Sequence, residues 1–240
     1  MEESAYRDTF ACEDGNWYFV GMHSLILEAL ERYTDRLRTM RVLDAGCGTG
    51  GLLALASGEA ECFGVDLSPD ALAYCRRRRL SGIARAEVGH LPFGGERFDV
   101  VTSIDVLYHR RVEDEATAIR EFRRVLKPGG VLLLHLPAYE WLAGDFDRLV
   151  HTRRRYRRRQ VEELVAGAGF TILRSSYRNS LLFPAVVLFR KIIRVEKGRE
   201  FKESGPALNR ALGAVLRLEN ALLRRIDLPF GSAIWVVARK

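Results

Sequence analysis

The stretch VLDAGCGTGG, residues 42–51, decides the fold of this chain. Residues 41–45 predict a short buried strand, which the first glycine stops abruptly. The glycines that follow let the backbone turn tightly and approach a ligand closely, where a Cβ atom would collide. Residues 52–56 are apolar and rich in alanine, so they predict the first crossover helix. Strand, glycine loop and helix together predict a nucleotide-type site at the carboxyl end of a parallel strand.

The acid in front of this loop separates two kinds of nucleotide ligand. Gly46, Gly48 and Gly51 satisfy the G-x-G-x-x-G spacing of a dinucleotide site. Asp66 follows about twenty residues later, as such a site requires. Asp44, however, stands at the tip of the strand, where its carboxylate would repel a pyrophosphate. The same carboxylate suits the sulfonium and ammonium groups of S-adenosylmethionine, which is therefore the favoured ligand.

Five segments, in the expected order, resemble the motifs of class I S-adenosylmethionine-dependent methyltransferases. The glycine loop is similar to the first motif, and VDLSPDAL at 65–72 is similar to the second, in which an acid closes strand two. HLPF at 90–93 and FDVVTSIDVLYH at 98–109 resemble the third and fourth motifs, and LKPGG at 126–130 resembles the turn into strand five. The resemblance implies an α/β fold with a doubly wound, Rossmann-like sheet of seven strands, the last of them antiparallel.

The resemblance also assigns the cofactor contacts. Asp66 is expected to accept the two ribose hydroxyls, because Ser68 is available to cap the helix that begins at Pro69. The segment 87–90 is expected to border the adenine. The expected cofactor-binding residues are Trp17, Asp44, Gly46, Cys47, Gly48, Gly50, Asp66, Leu67, Val88, Ile104 and His109.

Composition narrows the class of protein. A chain of 240 residues suits one large domain or a domain with a lid. The four cysteines form no C-x-x-C pair, so they predict no metal site and indicate reduced thiols in a cytoplasmic protein. The acidic start of the chain lacks the apolar region of a signal peptide. The net charge of +7 suits a nucleic acid, an anionic lipid or an anionic small substrate, and equally suits solvated helix faces.

We expect a single methyltransferase domain over residues 1–240, with a helical insertion between strands six and seven. Its predicted parts are an N-terminal helical lid at 1–38, a cofactor-binding core at 39–176, the insertion at 177–229 and the final strand at 230–240. The other strands are predicted at 61–65, 84–88, 97–102, 131–136, 169–173 and 233–238, with helices at 22–38, 113–125, 160–168 and 207–228. The apolar run 181–194 is too short to span a membrane. It predicts a roof over the active site, a homodimer surface or a peripheral membrane contact, in descending order of preference.

The segment DFDRLVHTRRRY at 145–156 resembles an Asp…His-x-Arg-Arg-Tyr segment of a bacterial methyltransferase subgroup, which lies at the substrate mouth. Its arginines precede a predicted helix, whose positive amino end disfavours cations, so we expect them to serve an anion. The expected substrate-binding residues are Tyr108, Tyr139, Arg154, Arg155 and Tyr156, with Arg153 as a further member of the arginine cluster.

Histidines provide the candidates for a general base, should the methyl acceptor be a hydroxyl. His109 and His151 both follow predicted strands and titrate near neutrality. The structural alternative is that His109 only closes the cofactor pocket. Asp147 and Tyr139 complete the set of catalytic candidates.

The predicted function is methyl transfer to a small anionic or amphiphilic molecule, such as a natural product or a lipid-like metabolite, with S-adenosylhomocysteine as product. The protein then mainly aligns donor and acceptor, excludes water and accepts a proton where needed. An RNA or DNA methyltransferase is one rival, although the chain lacks the Asn/Asp-Pro-Pro-Tyr/Phe motif of base-modifying enzymes after strand four. The other rival binds S-adenosylmethionine without methylating, as a cyclase would.

Overall fold

The computed structural model describes residues 3–34, 39–190 and 205–240. The predicted helix end at 35–38 and the last part of the apolar run, 191–194, lie outside the described residues. The helices are α1 Glu3–Cys12, α2 Trp17–Tyr33, α3 Gly51–Ala56, α4 Pro69–Arg77, α5 Glu115–Val125, α6 Asp145–Leu149, α7 Arg158–Gly167, α8 Phe183–Leu188 and α9 Pro206–Leu223, with a 3₁₀ turn at Glu140–Leu142. The strands are β1 Arg41–Ala45, β2 Glu61–Asp66, β3 Ile83–Arg85, β4 Phe98–Ile104, β5 Leu126–Pro137, β6 Thr171–Arg178 and β7 Ala233–Arg239.

Within the described residues, the strands form a seven-stranded sheet in the order β3-β2-β1-β4-β5-β7-β6. β7 runs antiparallel to both of its neighbours, whereas the strand pairs from β3 to β5 are parallel. The prediction of a doubly wound, Rossmann-like sheet with an antiparallel last strand is therefore confirmed. In this arrangement the carboxyl ends of β1, β2, β4 and β5 meet at one edge, where ligands of such sheets bind.

Helices cover both faces of the sheet and bury its apolar side chains. α2 and α9 pack on one face, against residues such as Val131 and Trp235. α5 and α7 pack on the other face, against residues such as Val101 and Leu132. β1 spans Arg41–Ala45, as predicted. Its residues after Arg41 are buried between the two helical layers, as an apolar strand requires. Among the described helices, none is both long enough and apolar enough to cross a membrane.

Several element boundaries differ from the predictions because distant parts of the chain supply hydrogen-bond partners. β6 runs five residues beyond the predicted end at 173, because it pairs with β7 as far as Arg178 opposite Ala233. β5 begins at Leu126, where a helix stop was predicted, and the end of the chain continues its ladder: Lys240 donates its N–H to the carbonyl of Gly130 at 3.0 Å. α2 begins at Trp17 rather than at residue 22, because the Asn16 side chain accepts the N–H of Tyr18 and caps the helix.

α9 of the predicted insertion is fastened to α2. Asn209 Oδ1 accepts the N–H of Trp17 at 2.9 Å, and Asn220 Nδ2 donates to the carbonyl of Gly21 at 2.9 Å. Gly21 permits this close crossing, since a Cβ atom there would lie 2.7 Å from Cδ1 of Leu216. The insertion thus packs directly on the N-terminal helix, while the division of the chain into lid, core, insertion and final strand stays a prediction.

Candidate active site

A large cavity opens at the carboxyl edge of the sheet and has a volume of about 1770 Å³. This exceeds the roughly 300–1,000 Å³ of an ordinary small-molecule pocket, so it has room for a cofactor and a second molecule together. Of the residues predicted for the site, those that line it are Trp17, Asp44, Gly46, Cys47, Gly48, Asp66, Leu67, Val88, Ile104, Tyr108, His109, Asp147 and Arg155. Those that do not line it are Gly50, Tyr139, His151, Arg154 and Tyr156.

The glycine loop folds into this cavity through backbone angles that favour glycine. Gly46 has φ +90°, and a Cβ atom there would lie 2.2 Å from Cγ2 of Val106. Gly48 has φ +53°, and no atom lies within 4 Å of the place where its Cβ would stand, so the backbone presents an open surface to the cavity. Gly50 has φ +82° and is the residue before α3, so its part is to turn the chain into that helix.

Asp66 organises the loop at the end of β2. Its Oδ2 accepts the N–H of Gly48 at 3.0 Å, and its Oδ1 accepts the N–H of Ser68 at 2.9 Å. Ser68 is the N-cap residue of α4, as predicted, although its side chain makes no capping hydrogen bond. A carboxylate oxygen has a second lone pair, however, so each oxygen of Asp66 retains one acceptor site for a ligand hydroxyl. Burial raises the pKa of Asp66.

Asp44 is a buried acid at the tip of β1. It is 4% exposed, and its Oδ1 accepts the Thr102 hydroxyl at 2.8 Å. Burial raises the pKa of Asp44 to about 7, with a smaller opposing effect from the Thr102 hydrogen bond. A cationic ligand beside it would favour the charged carboxylate and lower that pKa again.

Helix α1 and the start of α2 cover the glycine loop. The Glu13 carboxylate is buried; it accepts the Thr49 hydroxyl and lies 3.3 Å from the Arg78 guanidinium. Arg78 in turn donates to the Thr49 carbonyl at 3.0 Å. Trp17 at the start of α2 lines the cavity, where the sequence predicted a lid. The N-terminal segment is thus tied to the loop by a buried polar cluster.

The two predicted histidines lie side by side, but only His109 lines the cavity. The ring centroids of His109 and His151 are 5.8 Å apart, edge to face. His109 Nδ1 accepts the N–H of Arg111 at 3.1 Å, which fits a neutral ring. Burial lowers the pKa of His109 to about 4, with further lowering by nearby positive charge. A base with this pKa is mismatched to proton transfer near neutrality.

A different histidine forms an acid–histidine pair at the cavity. Nδ1 of His135, on β5, lies 3.0 Å from Oδ1 of Asp105, just after β4, and both residues line the cavity. His135 is 2% exposed, and its Nε2 has no hydrogen-bond partner among the described residues. Asp105 has φ +55°, an uncommon conformation for a residue with a side chain. Sequence reasoning missed this pair, although a lone histidine at the end of the apolar strand VLLLHLP was a signal.

Comparisons with known proteins agree with the observed sheet and with the glycine loop at its carboxyl edge. Residues 43–134 match the family model of a methyltransferase domain. The malonyl-[acyl-carrier protein] O-methyltransferase of Enterobacter lignolyticus is 35% identical over 121 residues, which are 49% of this chain and 45% of that protein. A Mesorhizobium loti S-adenosylmethionine-dependent methyltransferase structure is similar with a TM-score of 0.60 at 19% identity, over 95% of this chain and 100% of that chain. Residues 43–134 thus match a methyltransferase domain, and the chain around them has the fold of S-adenosylmethionine-dependent methyltransferases.

A solved complex shows the same fold with the cofactor. The Haemonchus contortus phosphoethanolamine N-methyltransferase 2, in complex with S-adenosyl-L-methionine, has a TM-score of 0.58 at 23% identity. The match covers 89% of this chain and 51% of that chain. This chain also spans about half the length of the first curated relatives it matches.

Part of the predicted arginine cluster forms ion pairs within the protein. Glu115 of α5, which is buried, pairs with Arg153 and with Arg154, whose Nε is 3.0 Å away. The Tyr156 hydroxyl also donates to Glu115, at 2.8 Å. Arg154 and Tyr156 therefore do not agree with their predicted role in binding a substrate anion, because Glu115, a partner that the sequence did not reveal, pairs with Arg154 and accepts the Tyr156 hydroxyl.

Arg155 is the arginine of this segment that reaches the cavity. It is buried and pairs with Asp147, with 2.7 Å between Nε and Oδ1. Arg190, also in the cavity wall, contacts Oδ2 of Asp147 at 3.1 Å. Burial alone would raise the pKa of Asp147, but the hydrogen bond and charge of Arg155, with Arg190, hold it below its usual value. Asp147 is thus a fixed anion between two cations, which makes it a poor proton acceptor and corrects its prediction as a catalytic residue.

Tyr139 lies away from the cavity. Its ring stacks between those of Tyr177 and Trp141, at centroid distances of 5.2 and 5.7 Å. It lines a second, smaller hollow together with Trp141 and Arg154. Its predicted catalytic and substrate-binding roles therefore do not agree with its position, because aromatic stacking turns it outward.

Helix α8 and the residues around it provide an apolar wall at the far end of the cavity. Leu182, Val186 and Phe189 line it, as does Leu212 of α9. The roof predicted for the apolar run stays a prediction, with α8 in the cavity wall as its support. The alternatives of a homodimer surface and a peripheral membrane contact stay predictions as well.

Proposed function

We propose that this methyltransferase domain transfers a methyl group from S-adenosylmethionine to a small molecule that carries both an anionic group and an apolar portion. The observation that supports this proposal is the continuity of the cavity. One end is bordered by Asp44, Asp66 and the glycine loop, and the other by Arg155, Arg190 and α8. Donor and acceptor could therefore lie in contact within a single continuous space.

At the cofactor end, the proposed contacts follow from the negative charge of Asp44 and the free lone pairs of Asp66. The remaining lone pairs of Asp66 would accept the ribose hydroxyls, and the Asp44 carboxylate would offset the positive methionine end. The cofactor supplies the activated methyl group and its leaving group. The protein holds it in place and, through the lid that carries Trp17, excludes water from the reaction.

At the acceptor end, the balance of charge favours an anion. Arg155 and Arg190 carry two positive charges, and Asp147 between them supplies one negative charge. The surplus cation faces the same space as the apolar side chains Leu182 and Val186. This combination suits an amphiphilic acceptor better than a nucleic acid, whose binding requires a row of cations on an open surface.

For a hydroxyl acceptor, the proposed proton acceptor is His135. Because a carboxylate oxygen of Asp105 can only accept, Nδ1 of His135 carries the hydrogen, which leaves Nε2 as the basic nitrogen. Asp105 then holds the ring in this tautomer and stabilises the positive charge that protonation creates.

The proposal is tested by incubating the purified chain with methyl-labelled S-adenosylmethionine and fractions of small metabolites. Label in an organic acid, together with stoichiometric S-adenosylhomocysteine, is the expected result, and Asp66→Ala should strongly reduce it at low cofactor concentration. Formation of methylthioadenosine would indicate a different group transfer. Conversion of a metabolite with the cofactor intact would indicate a cyclase, and label in RNA that is retained in a strongly salt-dependent manner would favour the nucleic-acid alternative.

A further inference from the structure

Arg178, at the carboxyl end of β6, is a buried cation whose hydrogen bonds are missing. The residue is 0% exposed, and Nε and both terminal nitrogens of its guanidinium have no hydrogen-bond partner among the described residues. A guanidinium can only donate hydrogen bonds, and leaving its donors unpaired in the interior is costly. Arg178 therefore requires an acceptor beyond those that the described side chains provide.

The nearest acidic groups do not fill this need. Glu219 of α9 is 0% exposed and acts electrostatically on Arg178, but no carboxylate of the described residues lies within ion-pairing distance of the guanidinium. The two oxygens of Glu219 instead accept the backbone N–H groups of Asn179 and Leu181. Glu219 thus offsets part of the charge from a distance and leaves the N–H donors of Arg178 free.

Arg178 lies next to three residues that line the main cavity. Its guanidinium carbon is 5.7 Å from the centroid of the Tyr18 ring, and Tyr18 lines the cavity. The next residue in the chain, Asn179, and the cross-strand partner of Arg178, Ala233, line the cavity as well. Tyr18 is thus a side chain of the cavity wall that lies next to the guanidinium.

A second unpaired donor lies on the same face of the sheet. Trp235 is buried, and its Nε1 has no hydrogen-bond partner among the described residues. In the β6–β7 register, Trp235 lies opposite Ser176, and Arg178 follows Ser176 by two residues. Because side chains two residues apart on a strand share a face, the side chains of Trp235 and Arg178 both point to the α2 face of the sheet. His135 is the direct cross-strand neighbour of Trp235 on β5. Unpaired donors thus accumulate in this corner, which favours a ligand that brings acceptors.

We propose that the guanidinium of Arg178 binds the carboxylate group of the methyl acceptor, which reaches it past the Tyr18 ring. This inference rests on the proposed function and assigns one residue to the anionic end of the substrate. A planar carboxylate matches the guanidinium fork with two parallel hydrogen bonds. A phosphate dianion is disfavoured, because Glu219 and Asp105 both lie near enough to affect Arg178 and would repel a second negative charge.

The direct test measures binding of a simple carboxylate to the full chain by calorimetry, in the presence of S-adenosylhomocysteine. Hexanoate is the probe, hexanol is its uncharged analogue, and inorganic phosphate is the alternative anion. We expect saturable binding of hexanoate and at least tenfold weaker binding of the other two. Arg178→Met should weaken hexanoate binding at least tenfold, while Arg225→Met, which removes an exposed arginine after α9 and changes the net charge equally, should leave it unchanged.

The folded state of the variant is controlled by a second substitution. Because Arg178→Met leaves the buried Glu219 without a compensating charge, the double variant Arg178→Met/Glu219→Gln removes both charges together. It should fold, bind S-adenosylhomocysteine as the parent does, and still lose hexanoate binding. Unchanged hexanoate affinity in either variant would overturn the proposal.

The other outcomes are equally decisive. Absence of hexanoate binding to the parent chain would mean that water alone satisfies Arg178, and phosphate binding that depends on Arg178 would replace the carboxylate assignment. If hexanoate binds through Arg178 but no acceptor is methylated, the site stands and the proposed function fails. If methylation proceeds with an unchanged KM in Arg178→Met, the function stands and the site assignment fails.

Discussion

Nδ1 of His135 and Oδ1 of Asp105 lie 3.0 Å apart, at the adjoining carboxyl ends of β5 and β4. This pair, rather than His109, has the geometry of a base held by an acid. His135→Gln is expected to lower kcat for a hydroxyl acceptor by about 10²–10⁴-fold, the usual contribution of a positioned base, with little change in KM. It should also remove the acidic limb of the pH–rate profile, the fall in rate that protonation of the base causes at low pH, which a merely structural residue would not change.

The matched control for this prediction is His109→Gln. The pKa of His109 is about 4, so we expect its substitution to leave the pH profile near neutrality in place. A variant of His135 with full turnover and an intact profile would show that proton transfer runs to solvent or to another group.

Cofactor affinity should depend on pH through Asp44. The pKa of Asp44 is about 7 without ligand, and a sulfonium and an ammonium group nearby would lower it on binding. Binding therefore releases a proton below pH 7, and the affinity for S-adenosylmethionine should fall by up to about tenfold for each pH unit from 7 toward 5. Calorimetry in buffers of different ionisation enthalpy measures both the affinity and the released proton. Asp44→Asn should bind weakly and without this pH dependence, and a flat profile in the parent chain would contradict the assignment.

Asp66 is expected to contribute about 1.5–3 kcal/mol to cofactor binding, the value of hydrogen bonds to a charged group. Asp66→Ala should therefore weaken S-adenosylhomocysteine binding, and Asp66→Asn, which keeps one acceptor oxygen, should weaken it less. Since Asp66 also holds the N–H groups of Gly48 and Ser68, the alanine variant should unfold at a lower urea concentration. Equal affinities for the parent and both variants would refute the ribose contact.

The residues that sequence could identify at this site are those whose roles are local. The turn at Gly46 and the acids at Asp44 and Asp66 follow from a few neighbouring residues, because strand, loop and helix are consecutive. His135 and Asp105 are thirty residues apart, and their contact exists only because β4 and β5 pair along the register Ile104 to His135. No pattern within either segment specifies that neighbour.

The arginine segment was misjudged for a related reason. Because the amino end of a helix disfavours cations, these arginines need a nearby anion, and they have one. The anion, however, is supplied by the protein itself: Glu115 for Arg153 and Arg154, and Asp147 for Arg155. A run of like charges in a sequence indicates that an opposite charge lies nearby. It does not tell whether a ligand or another helix or strand of the protein supplies that charge.

Glu115 should therefore be important for stability rather than for turnover. Glu115→Ala removes the acceptor shared by Arg153, Arg154 and the buried Tyr156 hydroxyl, and is expected to lower the free energy of unfolding by about 1–3 kcal/mol. Glu113→Ala is the control, because that side chain is exposed on the same turn. Denaturant titration checks the difference, and equal midpoints for the two variants would contradict it.

The hydrogen bond between the Trp17 N–H and Asn209 has a consequence for the order of events in a catalytic cycle. Trp17 belongs to the wall at the cofactor end, and Leu212, one turn beyond Asn209 on α9, belongs to the wall of the acceptor compartment. A displacement that lets spent cofactor out therefore disturbs the surface against which the acceptor lies. We therefore expect nucleotide exchange and release of the methylated product to be coupled, because both would require displacement of the joined helices α2 and α9.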